Sequence, residues 1–407
     1  MACPSAVVLI LANSSPVRYA VNVVPSGWVR LMLPRLAGEA SDARDSRRAQ
    51  THMYRDLMFI VPVRILKNGA IFAHGLHSYT FFMRLTILIC LSLLEALCFS
   101  ASMNAQNNVV EKINAFGNFD SWSVREIKES ALIGGQTKYL YEFYGNQEVV
   151  NTGKEPYASP EDYLWRTNNV LAIVAGIVKT NNCVFPEPRG EGYCARIETH
   201  IETVKALGVV NMDVLCQGTL IVGVLPEPIR DTKSPMTKVF YGIPYSGTPK
   251  SLRFDYKSDL GHETIRGTGF SKLKAMGYPD AAEVTFILQK RWEDEQGRVH
   301  ALRVATGIER LFESERDWVN GHEIELHYGD ITDEPFYEKY MGLKTDPETA
   351  YHALNSRGEN VIVEEEGWAE PGVEPNFMVL NFIASCGKAF YGGDGNVLWI
   401  DNVEIVL

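Results

Sequence analysis

The chain has 407 residues and a net charge of −11. That acidity argues against nucleic acid and against an anionic membrane surface as partners. The charge is uneven: residues 1–82 carry nine basic side chains against four acidic ones, residues 83–105 sum to zero, and the remainder carries −16. Two chemically different regions therefore meet near residue 83.

Met83 and Arg84 give a positively charged start, and Leu85 to Leu94 is an apolar run about ten residues long, the size of a signal-peptide core. Ser100, Ala101, Ser102, Met103, Asn104 and Ala105 follow, with cleavage expected after Ala101 or Ala105. A transmembrane anchor is the competing reading: 79–101 is long enough, but Arg84 and Glu95 interrupt it. A signal peptide over 83–105 makes residues 1–82 an upstream extension that is not part of the mature protein; the alternative is a disordered cytoplasmic arm. Ile89 and Leu97 precede Cys90 and Cys98 where lipidation wants a small residue, so no lipoprotein is expected. The expectation is a chain that is secreted, periplasmic or held at the cell surface, with no integral membrane domain once mature. Export permits disulfides among Cys183, Cys194, Cys216 and Cys386. Cys183 and Cys194 flank a Pro/Gly-rich loop and are the expected pair; four buried free thiols are the alternative.

Past residue 105 the elements read mostly as strands, in an N-terminal β-rich part over 106–164 and a main domain over 165–407. Strands are expected at 137–144, 170–178, 193–203 and 219–224. Leu252 to Lys257 alternates apolar with charged residues, and 283–292 sets Val284, Phe286 and Leu288 on one face. Glu295 to Arg298 forms a turn, and 299–305 returns as its hairpin partner. Residues 323–328 alternate strictly, with Glu323, Glu325 and His327 on the polar face. Helices are expected only at 160–165, 335–340 and 347–356, the last started by Thr345, Asp346, Pro347 and Glu348. Met378 to Ile383 is an apolar strand, 384–395 a Gly-rich link with positive-φ positions, and 396–407 a closing strand. The Asp401-Asn402 pair in that strand suggests a bulge or a polar contact at a sheet edge. Many short alternating strands indicate an all-β antiparallel sandwich.

No nucleophile elbow, metalloprotease motif, P-loop or dinucleotide fingerprint is present. The cysteines lack CxxC spacing and Asp394 and Asp401 lack a calcium-loop spacing, so no metal and no cofactor is expected. Glu364, Glu365 and Glu366 can supply a carboxylate for glycoside chemistry, but read more simply as a solvated acidic loop. The aromatic residues are more suggestive. Exported β-sandwiches bind sugars by stacking a pyranose on Trp or Tyr. Trp292, Trp368 and Tyr391 fall at strand ends or in loops and are the candidate carbohydrate-binding residues, with core or rim packing as the alternative for each. Trp122, Trp318 and Trp399 sit beside strand patterns and read as core.

Gly242-Ile-Pro-Tyr-Ser-Gly-Thr-Pro-Lys-Ser-Leu-Arg-Phe-Asp-Tyr-Lys257 resembles a block of the putative carbohydrate metabolism domain (PCMD) family of exported Bacteroidota proteins. Leu398-Trp-Ile-Asp-Asn-Val-Glu-Ile405 is similar to that family's closing strand, Trp318 within Glu313-Ser-Glu-Arg-Asp-Trp also fits, and Gly117-Asn-Phe-Asp-Ser-Trp122 resembles the opening of carbohydrate-binding jelly rolls. The resemblance runs from about residue 107 to the end. It implies a jelly-roll β-sandwich like carbohydrate-binding modules, with the domain's ends close in space, and it brings no catalytic residues. Cys386 departs from a stretch that is usually Ser-rich. The function expected is a non-catalytic, exported module that binds a polysaccharide or oligosaccharide. A glycoside hydrolase or polysaccharide lyase on the same fold and a cell-surface adhesion module are the alternatives.

Overall fold

A computed structural model describes residues 20–23, 29–32, 109–143, 163–206, 210–231 and 234–407. The expected signal peptide over 83–105 and nearly all of 1–82 lie outside them. The chain divides into two compact units, 1–94 and 95–407. In the first, Ala20–Val23 pairs with Val29–Met32 as an antiparallel hairpin. Among the described residues no helix is long and apolar enough to cross a membrane.

The second unit is an all-β sandwich. Its larger sheet has ten strands, in the order Phe240–Tyr241, Thr219–Val224, Phe377–Ile383, Ala282–Glu293, Val299–Leu311, Asn360–Trp368 and His352–Leu354, with three short strands pairing off this path. A five-stranded sheet runs Val319–Glu325, Ser251–Asp259, Val397–Val406, Gly192–Glu198 and Val184–Arg189. The two sheets bury a common core: Val284, Phe286, Leu288, Leu380 and Phe382 from the larger meet Leu252, Phe254, Leu398 and Ile400 from the smaller. Phe254 and Phe382 cross edge-to-face at 5.2 Å. Pairing is antiparallel throughout the named strands except between Val299–Leu311 and Asn360–Trp368.

The central hairpin, Ala282–Glu293 with Val299–Leu311, follows from its residues. β-Branched and aromatic side chains fill both strands, and the Gly297 amide closes the turn on the Asp294 carbonyl at 3.0 Å. The run is buried on both faces. Ile287, Val379 and Ile221 point away from the sandwich core into a second apolar cluster with Tyr241 and Tyr351. That cluster is roofed by segments around 235–241 and 339–351, and the roof creates the concavity described below.

Several expectations are corrected. Of the 160–165 helix, the last residue lies in a strand, Trp165–Thr167, and 160–162 lie outside the described residues. Residues 335–340 give only the 3-10 turn Lys339–Met341. At 347–356 there is no helix: Asp346 accepts the Glu348 amide on its side chain at 3.0 Å, an Asx turn, and His352–Leu354 is a strand. Among the described residues, the α-helical segment 109–115 has no expected counterpart. The strand expected at 170–178 is a hairpin, Val170–Val174 with Ile177–Asn181. The alternating 323–328 stretch breaks at Leu326, whose amide donates to the Lys250 carbonyl instead.

Asp401 and Asn402 do form a bulge, with Asn402 at φ 49°. It sits in the middle strand of the five-stranded sheet, so the edge reading is wrong. Arg189 explains the polar pair: it donates to Asp401 at 2.5 Å and to Asp255 at 2.8 Å. The closing strand meets the segment around 114–117, near the opening of the domain as expected, since the Val403 amide donates to the Gly117 carbonyl and the Ile405 amide to the Asn114 side chain, both at 2.8 Å. The Cys183–Cys194 pair is excluded by register. Glu187 faces Cys194 and Val184 faces Ile197, so Cys183 lies about 13 Å along the hairpin from Cys194, beyond the Cα reach of a disulfide. All four described cysteines are free thiols.

Candidate functional site

The outer face of the ten-stranded sheet changes character along its strands. Beyond the apolar Ile221, Ile287 and Val379, the same face turns more polar: Asn381 pairs with Thr285, and Thr219 and Glu283 stand on either side of Ile383. Arg310 donates to Glu283 at 2.8 Å, and Lys344 lies 3.6 Å from its other oxygen. Asn381 is only 3% exposed, and among the described residues its Oδ1 receives no hydrogen bond. A buried acceptor left unmet costs about 1–3 kcal/mol. Asn381 lines a narrow cavity of about 90 Å³ whose walls include Thr219, Glu283, Lys344 and Ser385.

Two larger compartments adjoin it, and Met236 and Ala389 border all three. One, of about 270 Å³, is apolar, with Val214, Leu225, Ile229, Val239 and Tyr241 in its walls. The other, of about 480 Å³, mixes aromatic and polar groups: Phe390 and Tyr391 with Thr237, Arg266, Glu348 and His352.

The link over 384–395 shapes this rim. Gly395 alone among its glycines takes a positive φ, 99°; the other such position is Phe390, at 68°. A bulky residue in the left-handed region is strained and must be held there by its surroundings. The holding contacts are visible: the Gly267 amide donates to the Phe390 carbonyl at 3.0 Å, and Gln217 Nε2 donates to the Tyr391 carbonyl at 2.7 Å. Tyr391–Gly393 is itself a strand, paired with Glu263–Arg266, and the Arg266 guanidinium stands 5.9 Å from the Tyr391 ring centre. Lys388 bridges Asp346 at 2.8 Å and Glu348 at 2.6 Å, tying the link to the roof. His352 is fixed by Asn360 at 2.8 Å.

The three residues expected to bind carbohydrate do not converge on one patch. Tyr391 lines the largest compartment. Trp292 is 41% exposed at the far end of the central hairpin, stacked on His300 with ring centres 5.5 Å apart. Trp368 faces the other side of the same sheet, where the Arg303 guanidinium lies 5.6 Å from its ring; His300 and Arg303, three residues apart on one strand, point to opposite faces. Of the tryptophans read as core, Trp122 packs there, but Trp318 and Trp399 lie outside it on the five-stranded sheet, with Arg189 3.7 Å from the first ring and Lys257 4.2 Å from the second.

Glu364 to Glu366 are in a strand rather than a loop. Alternation splits them. Glu365 is buried in an ion pair with Arg303, at 2.5 Å, and accepts from Gln289 at 2.6 Å. Glu364 and Glu366 flank His300 Nδ1 at 3.6 and 2.6 Å, while Asp294 meets its Nε2 at 3.1 Å. Asp294 and then Glu366 hold the His300 proton on above its usual range. His300 with Glu364 and Glu366 is the cluster among the described residues with metal-ligand spacing. Glu323 and Glu325 face water as read, and His327 stacks on Phe336 at 4.1 Å.

The floor residues Glu283 and Asn381, and Lys344 from the roof, are absent from the expected site residues. One signal was available: Asn381 is the single polar residue inside Met378 to Ile383, and a buried polar group in an apolar strand asks for a partner.

Fold and cleft together define an all-β sandwich with a polar-floored, aromatic-rimmed cleft. No family model matches the chain, and no curated protein matches it. Among solved structures it is similar to a putative glycoside hydrolase from Bacteroides thetaiotaomicron, with 16% identity over 70% of each chain and a TM-score of 0.35. It is also similar to one from Bacteroides vulgatus, with 15% identity over 66% of this chain and 91% of that one and a TM-score of 0.34.

Proposed function

We propose that the protein is an exported glycan-binding module of carbohydrate metabolism, on a jelly-roll sandwich of the PCMD type, which holds a sugar in the cleft beside Tyr391. The observation that carries this reading is Asn381 Oδ1, a buried acceptor with no donor among the described residues, in a cavity that shares Met236, Glu348, Lys388 and Ala389 with a compartment lined by two aromatic rings. A saccharide suits both features. Its apolar ring face stacks on Tyr391 or Phe390, and its hydroxyls donate to Asn381 and Glu348 and accept from Arg266. Trp292, exposed and backed by His300, is a second platform at a separate place on the surface; Trp368, beside Arg303, is the third candidate.

Calorimetric titration against a panel of neutral, acidic and acetylated oligosaccharides tests it. At least one class should bind, and Tyr391→Ala and Asn381→Ala should each weaken that binding tenfold or more. Trp292→Ala and Trp368→Ala report whether the other platforms contribute. Silence across the whole panel sinks the proposal.

One observation favours a hydrolase or lyase as the second reading. Glu364 and Glu366 bring carboxylate oxygens within 4.8 Å of each other and of His300, beside the Trp292 platform, and glycosidases need two carboxyl groups at a defined separation. Sugar release that is lost in Glu366→Gln would favour this reading over simple binding.

A further inference from the structure

Cys183 and Cys216 are far apart in sequence, but the fold sets them against the same short stretch of backbone. Gly192–Glu198 and His200–Ala206 are consecutive strands separated only by Thr199. On the first side, the Glu198 amide donates to the Cys183 carbonyl at 2.8 Å. On the second, Cys216 is the register partner of His200. The chain leaving Cys216 then passes Glu198 so closely that a Cβ on Gly218 would lie 2.5 Å from the Glu198 carbonyl oxygen. Only glycine permits that approach, and the approach carries Cys216 onto Cys183.

The side chains are neighbours as a result, close enough for each thiol to shift the other's acidity; Asn181 Nδ2 donates to Cys183 Sγ at 3.1 Å, and the Cys216 thiol donates to the Val214 carbonyl at 3.7 Å. The two thiols differ in access. Cys183 is fully buried, whereas Cys216 is half-buried and lines the 270 Å³ apolar compartment. They differ in acidity too. The neighbouring Cys183 side chain, helped by the nearby His200 charge, lowers the Cys216 thiol, whereas burial pushes Cys194 up to about 12 and Cys386 up to about 11.

We propose that Cys183 and Cys216 are a covalent modification site, a dithiol in the cleft wall that closes to a disulfide when a low-molecular-weight disulfide enters the apolar compartment. Cys216 is the attacking sulfur and Cys183 the resolving one. With oxidised glutathione, the Cys216 thiolate attacks one sulfur, the glutathione S–S bond breaks, and one glutathione thiolate leaves and takes up a proton. Cys183 then gives its proton to solvent and attacks the Cys216 sulfur. The mixed disulfide breaks, and the second glutathione leaves as a thiolate that is protonated in turn. Two electrons and two protons pass from the cysteines to the glutathione disulfide. The bridge joins the start of the Val184–Arg189 strand to the end of the Val210–Cys216 strand.

The test is peptide mapping by mass spectrometry of the full chain, reduced and then incubated with oxidised glutathione at neutral pH. The expected product is a peptide pair joined through Cys183 and Cys216 in most molecules, separated by dithiothreitol. It should persist in Cys194→Ser and Cys386→Ser and be missing from Cys216→Ser. A stable glutathione adduct on Cys216, a bridge from Cys183 to any other cysteine, or both thiols unmodified in the folded wild-type chain would each overturn the assignment. The readout is the wild-type chain, so a poorly folding variant does not obscure it.

Discussion

Glu142 shows what a single buried carboxyl does to this molecule. One guanidinium, Arg125, serves two carboxylates, Glu142 at 3.1 Å and Glu227 at 2.8 Å, and all three groups are buried. Burial pushes Glu142 up to about 8, against the opposing pull of Arg125 and with the Glu227 charge adding to it. One proton therefore stays in the cluster at neutral pH. The sign of the linkage follows. The unfolded carboxyl loses its proton near 4.5 and the folded one near 8, so between these values the folded state binds more protons and stability falls as pH rises. Denaturation midpoints from pH 4.5 to 8.5 should decline through this window, and Glu142→Gln, neutral at every pH, should flatten the decline. A variant whose profile matches the wild type would refute this account of Glu142.

The link over 384–395 is the element on which the cleft depends, and one side chain anchors it. Asp280, 3% exposed, accepts from the Gly393 amide at 2.7 Å, from Asn396 Nδ2 at 3.0 Å and from the Cys386 amide at 3.4 Å. Asp280→Ala leaves the Gly393 amide without that acceptor, while the Cys386 amide keeps the Ala281 carbonyl and Asn396 Nδ2 the Ala384 carbonyl, and should cost about 1–3 kcal/mol. Hydrogen exchange should show lost protection at Gly393 and Asn396 before the central hairpin loosens; uniform loosening would argue against a local anchor. The strands around this link were readable because alternation and turn chemistry are local signals: Val284, Phe286 and Leu288 alternate, and Gly297 marks the turn. The expected helices failed because Pro347 with acidic neighbours is equally good chemistry for the Asx turn at Asp346. The cleft was hidden for a different reason. Thr219, Glu283, Lys344, Asn381 and Lys388 come together only through strand order and a roof of long-range segments, and no spacing in the chain records that. Tyr391 stands in a link that its glycines mark as a loop, whereas Asn381 is masked by the apolar residues on either side.

At the scale of the molecule, two sheets share one core, and among the described residues the larger carries a second apolar layer on its outer face. That asymmetry leaves a roofed cleft where the outer face turns polar. The closing strand runs through the middle of the smaller sheet and brings the end of the unit against Asn114 and Gly117. The floor of the cleft is therefore built on strands, with its roof on the turns and loops around 235–241 and 339–351 and its rim on the link. The most direct test is a crystal structure of the protein soaked with the tightest-binding oligosaccharide of the panel. The account predicts a sugar ring stacked on Tyr391 or Phe390 with a hydroxyl donating to Asn381 Oδ1 at about 2.7–2.8 Å. A sugar bound only at Trp292 or on the outer face of the five-stranded sheet, with the cleft empty, would contradict it.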